Sequence, residues 1–284
     1  MGPETRRVIL TGDDFGLSPA VNAAIIQAYR EGILTCASLM INGPAWQEAV
    51  DLAKAHPDLC VGLHLTLIQG RGVLPHRQIP HLVNHQGNFR HDPVGAGFTY
   101  FFSRRARQEI RAELEAQVEK TLSAGLPPRF LNGHLNIHLH PAVWPLVRRL
   151  AADYDISAVR LARENLTVSL TLNSQRVVYK TVHALIFAWL SRRAAKTVGE
   201  LKTNDHLFGL LNDGAMDEPF LLGLLPKLAP GVTEIYCHPA TLPGREPSWP
   251  SHYRPQAELA ALTSAKVAEV MQQQNLELIS FTDL

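Results

Sequence analysis

The sequence predicts an α/β fold, a (β/α) barrel of about seven parallel strands that is distorted or incomplete. Three observations predict it. Short β-branched or apolar runs alternate with segments of helical period, which is the pattern of βαβ units around a parallel sheet. The 284 residues contain no linker or internal repeat, so residues 1–284 read as a single domain close to the roughly 250 residues such barrels use. Polar and ionisable residues collect where the strands end, the face on which parallel architectures carry their sites. A doubly wound open sheet has the same grammar, because strand order is invisible in a sequence.

Arg7 to Thr11 (RVILT) is the first strand and runs into Gly12, Asp13, Asp14, Phe15 and Gly16. Ser18 caps the next helix with Pro19 at its first position, Val21, Ile25, Ala28 and Tyr29 line one face, and Gly32 ends it. Leu34 to Ile41 is a second strand, a helix follows from about Ala45 to Ala55, and Cys60 to Leu67 is a third strand containing His64. From about 68 to 102 the periodicity fails and Gly, Pro, Asn and His accumulate, an irregular insertion expected to wall or cover the site. A charged helix from about Arg104 to Ala124 closes at Gly125. Phe130 to Leu139 reads as a strand crowded with Asn132, His134, Asn136 and His138, and its period of two places these on one face. A helix after Pro141, a strand near Ser157 to Leu161 and a second irregular stretch precede Val177 to Ala195, which is apolar on most faces and ends in Arg192, Arg193 and Lys196. Val232 to Cys237 is a strand stopped by His238 and Pro239. A Gly/Pro-rich loop, a helix from about Pro255 to Gln274 and a strand at Leu276 to Ser280 complete the chain.

Composition excludes several function classes. With 27 Lys and Arg against 26 Asp and Glu, the formal charge of +1 gives no field to hold a phosphate backbone, so no nucleic-acid partner is expected. Cys36, Cys60 and Cys237 are odd in number, far apart and set in apolar runs, which argues against a disulfide framework and fits a reducing cytoplasm. No apolar run approaches the roughly 18 to 20 residues of a membrane span.

Two adjacent carboxylates at a strand end resist joint ionisation unless a cation or proton sits between them. A divalent metal resolves the conflict, and one carboxylate with two imidazoles is a common set that leaves positions for water and substrate. Each residue also has a plainer reading. Asp-Asp-Phe-Gly fits a capped turn, His64 a hydrogen-bonded core histidine, the His134 to His140 alternation a solvated strand face, and His238 a strand terminator. Five polar clusters falling together at strand ends favour a site.

The runs Thr11 to Ala24 (TGDDFGLSPAVNAA), Val61 to Thr66 (VGLHLT), Asn132 to Pro141 (NGHLNIHLHP) and Tyr236 to Ala240 (YCHPA) resemble the signature blocks of the YdjC-like carbohydrate deacetylases, in the family's order and across nearly the whole chain. Ser38 to Met40 (SLM), the paired Phe101 and Phe102, and His138 to Pro141 (HLHP) resemble its hopanoid-biosynthesis-associated branch. The resemblance implies Asp13 as catalytic base, Asp14, His64 and His134 as ligands of one divalent metal ion, zinc or magnesium, and His238 as acid or electrostatic partner. Asn136 and His138 are candidate substrate contacts. Asn132 and Asn136 stand where many members carry Asp and His. The implied activity is removal of an N-acetyl group from an amino sugar, on a glycosylated hopanoid or on soluble chito-oligosaccharides, with a noncatalytic sugar or lipid binder as the competing class. A phosphoesterase would bring a cationic clamp, and no Arg or Lys accompanies these motifs; a glycosidase needs carboxylates on opposite sides of the bond. The expected place is cytoplasmic, at the inner membrane if residues 177–195 lie against lipid; the bland alternative for that helix is burial against the strands. A homodimer is compatible with the sequence.

Overall fold

The computed structural model describes residues 5–241 and 249–284, so the segment of the Gly/Pro-rich loop at 242–248 lies outside the described residues. Its strands are β1 (Arg6–Phe15), β2 (Cys36–Leu39), β3 (Cys60–Leu65), β4 (Phe130–Gly133), β5 (Ala158–Val159), β6 (His206–Phe208), β7 (Gly231–Cys237) and β8 (Leu276–Leu278). The helices are α1 (Pro19–Glu31), α2 (Trp46–Ala55), α3 (Pro93–Phe102), α4 (Arg104–Ser123), α5 (Trp144–Asp153), α6 (Leu166–Leu172), α7 (Val177–Ala195), α8 (Glu218–Leu224), α9 (Pro255–Leu262) and α10 (Ala265–Gln273). The strands lie in the order β5-β4-β3-β2-β1-β7-β6, with β8 on the first residues of β1, and every ladder is parallel.

This is the incomplete barrel that the alternation predicts. Its open seam lies between β5 and β6, where a single parallel bridge joins Ala158 to Lys202. The Asn204 side chain completes the seam, accepting from Leu161 N at 2.8 Å and donating to Leu161 O at 2.8 Å.

Alternation along the strands separates two apolar clusters. Val8, Leu10, Leu39, Leu63, Leu131 and Ile235 belong to the larger core with the helices. Ile9, Cys36, Cys60, Phe130, Ala158 and Val232 form a smaller one with Phe281, whose ring stacks on Phe130 at 4.1 Å between centroids. Gly62 leaves room for this plug: a Cβ there would stand 2.6 Å from the Phe130 ring. Two residues further along each strand stand buried Thr11, Ser38, Asn132, Arg160 and Glu234, and two further again Asp13, His64 and His134. The period of two therefore stacks an apolar plug, a polar layer and the candidate site in sequence order.

Three elements depart from the sequence expectation. The strand expected through Leu139 stops at Gly133, and His134–Leu139 forms tight helical turns in which Leu135 and Asn136 both have φ 53°. The insertion is irregular to Asp92, but Pro93–Phe102 is helical, with the Asp92 carboxylate accepting from Val94 N and Gly95 N. The long helix after Pro255 breaks in two at Thr263 and Ser264, where Ser264 caps α10. Three further elements are additional: α6 in the second irregular stretch, and β6 and α8 between α7 and β7. Cys36, Cys60 and Cys237 are buried and free. No helix among the described residues is long and apolar enough to cross a membrane.

Candidate active site

β1 carries adjacent aspartates into one site because its pairing to β2 shifts between Gly12 and Phe15. Strict alternation would turn Asp13 and Asp14 to opposite faces. Asp14 instead has φ 63°, a left-handed conformation that Asp tolerates better than branched residues. Gly16 follows at φ 98°, where a Cβ would stand 2.8 Å from Met40 O.

Asp14 is fully buried. Its Oδ1 lies 3.0 Å from His134 Nδ1 and 3.3 Å from His64 Nε2, while Oδ2 accepts from Trp249 Nε1 at 2.8 Å. Burial pushes the Asp14 carboxyl upward, but the two imidazoles outweigh it and hold the group well below the usual carboxylate range. One ligand atom from each of Asp14, His64 and His134 lies within 4.8 Å of the others. His134 Nε2 is buried without a hydrogen-bond partner, so the ring retains coordinating capacity that the protein leaves unused. One oxygen and two imidazole nitrogens suit a divalent ion such as zinc, and the three residues fit such an ion.

Asp13 is held from the opposite wall. Arg160 donates to Asp13 Oδ2 at 2.6 Å and Oδ1 at 3.0 Å, and to Glu234 at 2.7 and 3.0 Å. Thr11 Oγ1 donates to Glu234 at 2.7 Å, and the guanidinium lies 4.5 Å from the centre of the Tyr236 ring. Burial raises the Asp13 carboxyl, yet Arg160 and His64 bring it below its ordinary value. Between the two halves lies Asn132. Its Oδ1 accepts from Ser38 Oγ at 2.6 Å and lies 2.8 Å from His64 Nδ1, whose proton it accepts in the tautomer that leaves His64 Nε2 for a metal, and its Nδ2 donates to Asp13 Oδ1 at 3.3 Å. An amide thus spans the Asp13 carboxylate and a candidate ligand imidazole, where a carboxylate would set a second negative charge against Asp13.

His238 follows β7 and is nearly buried. Its Nδ1 is 3.5 Å from Asp213 Oδ1, and Tyr253 donates its hydroxyl to Asp213 Oδ2. The Tyr253 and Trp249 rings stand 5.1 and 5.9 Å from the imidazole. Burial lowers the His238 pKa, but Asp213, Asp14, Glu258 and Asp13 together raise it above the ordinary histidine value. A cleft of about 280 Å³ adjoins this pair, with Asp213, Asn173, Arg176, Asn212 and Asp217 in its wall. Hydrogen-bonding walls of this kind suit hydroxyl-rich ligands.

The remaining candidates divide. Asn136 is buried and its Oδ1 has no partner. His138 is fully buried with Nε2 2.9 Å from Arg160 O, and burial depresses its pKa to about 3, so it stands as a neutral support behind the arginine. Arg160, Glu234, Asp213, Trp249 and Tyr253 join the site from outside the motif runs. The signal for two of them was present: Arg160 in SAVRL and Glu234 in VTEIYC are charges inside apolar strands, and a charge buried in a strand needs a partner.

Comparison with known proteins gives the family. The profile of the YdjC-like protein family matches residues 7–273. A carbohydrate deacetylase of Geobacillus stearothermophilus is 32% identical over 283 residues, covering 98% of this chain and 98% of that protein. One of Brevibacillus brevis is 30% identical over 279 residues, covering 98% and 99%. The crystal structure of an Enterococcus faecalis V583 protein, described as a cellobiose-phosphate cleavage protein, superposes with a TM-score of 0.76 at 25% identity over 98% of each chain. With matches that run almost from end to end and a barrel of the same shape, this chain belongs to the YdjC-like family.

Proposed function

We propose that the protein is a metal-dependent hydrolase that removes the N-acetyl group of an amino sugar, carried on a membrane glycolipid of the N-acetylglucosaminyl hopanoid type. The observation that carries the chemistry is the division of two adjacent aspartates between two environments: Asp14 faces His64 and His134, and Asp13 faces Arg160. That the relatives from Geobacillus and Brevibacillus are carbohydrate deacetylases supports the reaction class. The SLM, Phe101-Phe102 and HLHP runs support the lipid branch.

A divalent ion held by Asp14, His64 and His134 would polarise the amide carbonyl and make an attacking water more acidic. Asp13 takes the proton of that water. Its depressed pKa keeps it ionised, and the two-pronged arginine fixes the plane of its carboxylate. His238, its pKa raised by its acidic surroundings, donates in its protonated form to the departing amine nitrogen, and Asp213 stabilises the imidazolium. Asn136 Oδ1 accepts from a sugar hydroxyl, and the polar cleft beside Asp213 takes the part of the glycan beyond the reacting ring. The products are acetate and a free amino sugar.

Acetate release from an N-acetylglucosaminyl hopanoid and from soluble N-acetylglucosamine oligomers, with chelated protein before and after addition of zinc or magnesium, tests both levels. Release that requires metal and favours the lipid is expected. Release from soluble oligomers alone retains the chemistry and discards the lipid. No release from either, with metal bound, overturns the reaction and leaves a sugar or lipid binder.

A further inference from the structure

Helix α7 exposes most of its large apolar side chains. Its buried residues are Lys180, Ala184, Ser191 and Ala194, small or polar and spaced along one stripe, with Phe187 and Leu190 half-buried against the core beside them. Outward it presents Val178 at 79%, Leu185 at 66% and Trp189 at 56% exposure. Helix α3 does the same, burying Ala96 and Tyr100 while Phe98, Phe101 and Phe102 stand 63%, 51% and 74% exposed. A lone exposed apolar side chain needs no explanation, but large ones repeated on two helices mark an interaction surface.

The two helices border one feature. α7 packs against the turns at His134–Leu139, and the Phe101 ring lies 6.4 Å from His140 at the end of the same turns. Leu135, in those turns, is itself exposed. The apolar rim therefore flanks the segment that delivers His134 to the site.

Charge identifies what covers it. Neither α3 nor α7 contains an Asp or Glu. α3 leads into exposed Arg104 and Arg105, and α7 ends in exposed Arg192, Arg193 and Lys196. In a two-fold pairing of this face, neither helix offers these cations an acidic partner, whereas anionic lipid headgroups complement them. We propose that α3 and α7 dock the protein on the anionic surface of a phospholipid bilayer, with their aromatic and aliphatic side chains at the headgroup boundary and the arginines on lipid phosphates. This rests on the glycolipid reading and adds the surface on which the enzyme meets its substrate.

Flotation of the full chain with phosphatidylcholine vesicles, with or without 30% phosphatidylglycerol, tests the surface. Two variants accompany it, Phe98→Ser/Phe102→Ser/Trp189→Ser and Arg192→Glu/Arg193→Glu. The wild type is expected to float with anionic vesicles at least tenfold more than with neutral ones. Each variant is expected to lose at least tenfold of that binding while its thermal midpoint and acetate release from soluble oligomers stay unchanged. Absence of wild-type flotation, or variants that bind like wild type, overturns the proposal, as does a concentration-dependent dimer that the triple substitution splits without any vesicle binding. Vesicle binding with no acetate release from any substrate supports the docking surface and rejects the deacetylase reading separately.

Discussion

Arg160 donates to both oxygens of Asp13 and of Glu234 from a fully buried position, so its role in the site depends on fork geometry as much as on charge. Arg160→Lys keeps the charge and loses the fork. Steady-state kinetics are expected to show kcat lowered by about 10- to 100-fold with KM little changed, the scale on which residues that orient catalytic groups act. His238 predicts a pH effect of definite sign. An acid acts only while protonated, so kcat falls as pH rises through a pKa raised above the ordinary histidine value. His238→Ala should lower the rate and abolish that alkaline limb; a mutant that retains it removes His238 from the acid role. Asp13, Asp14, His64, His134 and His238 were legible in the sequence because polar residues at strand ends stand out against apolar runs. Asp213 was not, since an Asp before a Gly in a loop reads as an ordinary turn, and only the fold carries it to His238.

At the scale of elements, α4 does more than its charged sequence announces. Glu113 is fully buried and accepts from Val73 N and Leu74 N at 2.8 and 2.9 Å, and Gln117 exchanges hydrogen bonds with the Thr66 backbone at 3.0 and 2.8 Å. Two polar residues one turn apart thus pin the irregular insertion to the barrel. Glu113→Ala leaves two backbone donors unsatisfied and should cost about 2–4 kcal/mol in denaturant unfolding. Limited proteolysis is expected to cut within residues 70–92 earlier than in wild type. The insertion's helix was hidden by Pro93, Gly95 and Gly97, which read as loop although Asp92-Pro93 is a sound helix start. The strand expected through Leu139 failed for a different reason. Alternation of polar and apolar residues carries no information on φ, and two consecutive left-handed residues end the ladder after Gly133.

In the whole molecule, three layers share one interior: an apolar plug around Phe130 and Phe281, a polar layer centred on Arg160, and the candidate metal-ligating set above it. The barrel was legible because short apolar runs alternate with segments of helical period, whereas its seam was not, because β6 has only three residues and begins with His206. Asn204 holds that seam, and Asn204→Ala should destabilise the fold by about 2–4 kcal/mol and expose the Leu161 amide first in hydrogen exchange. Zinc at about a hundred times its dissociation constant should stabilise the folded chain by about 2.7 kcal/mol. A thermal midpoint raised by about 5–10 °C in wild type and unmoved in His64→Ala would report this. The central claim is that Asp14 belongs to the metal and Asp13 to the proton. Metal content and acetate release measured together on Asp13→Asn test it most directly. The account predicts wild-type metal stoichiometry with kcat lowered by about 10³-fold; a variant that deacetylates at the wild-type rate, or that loses its metal with its activity, would contradict it.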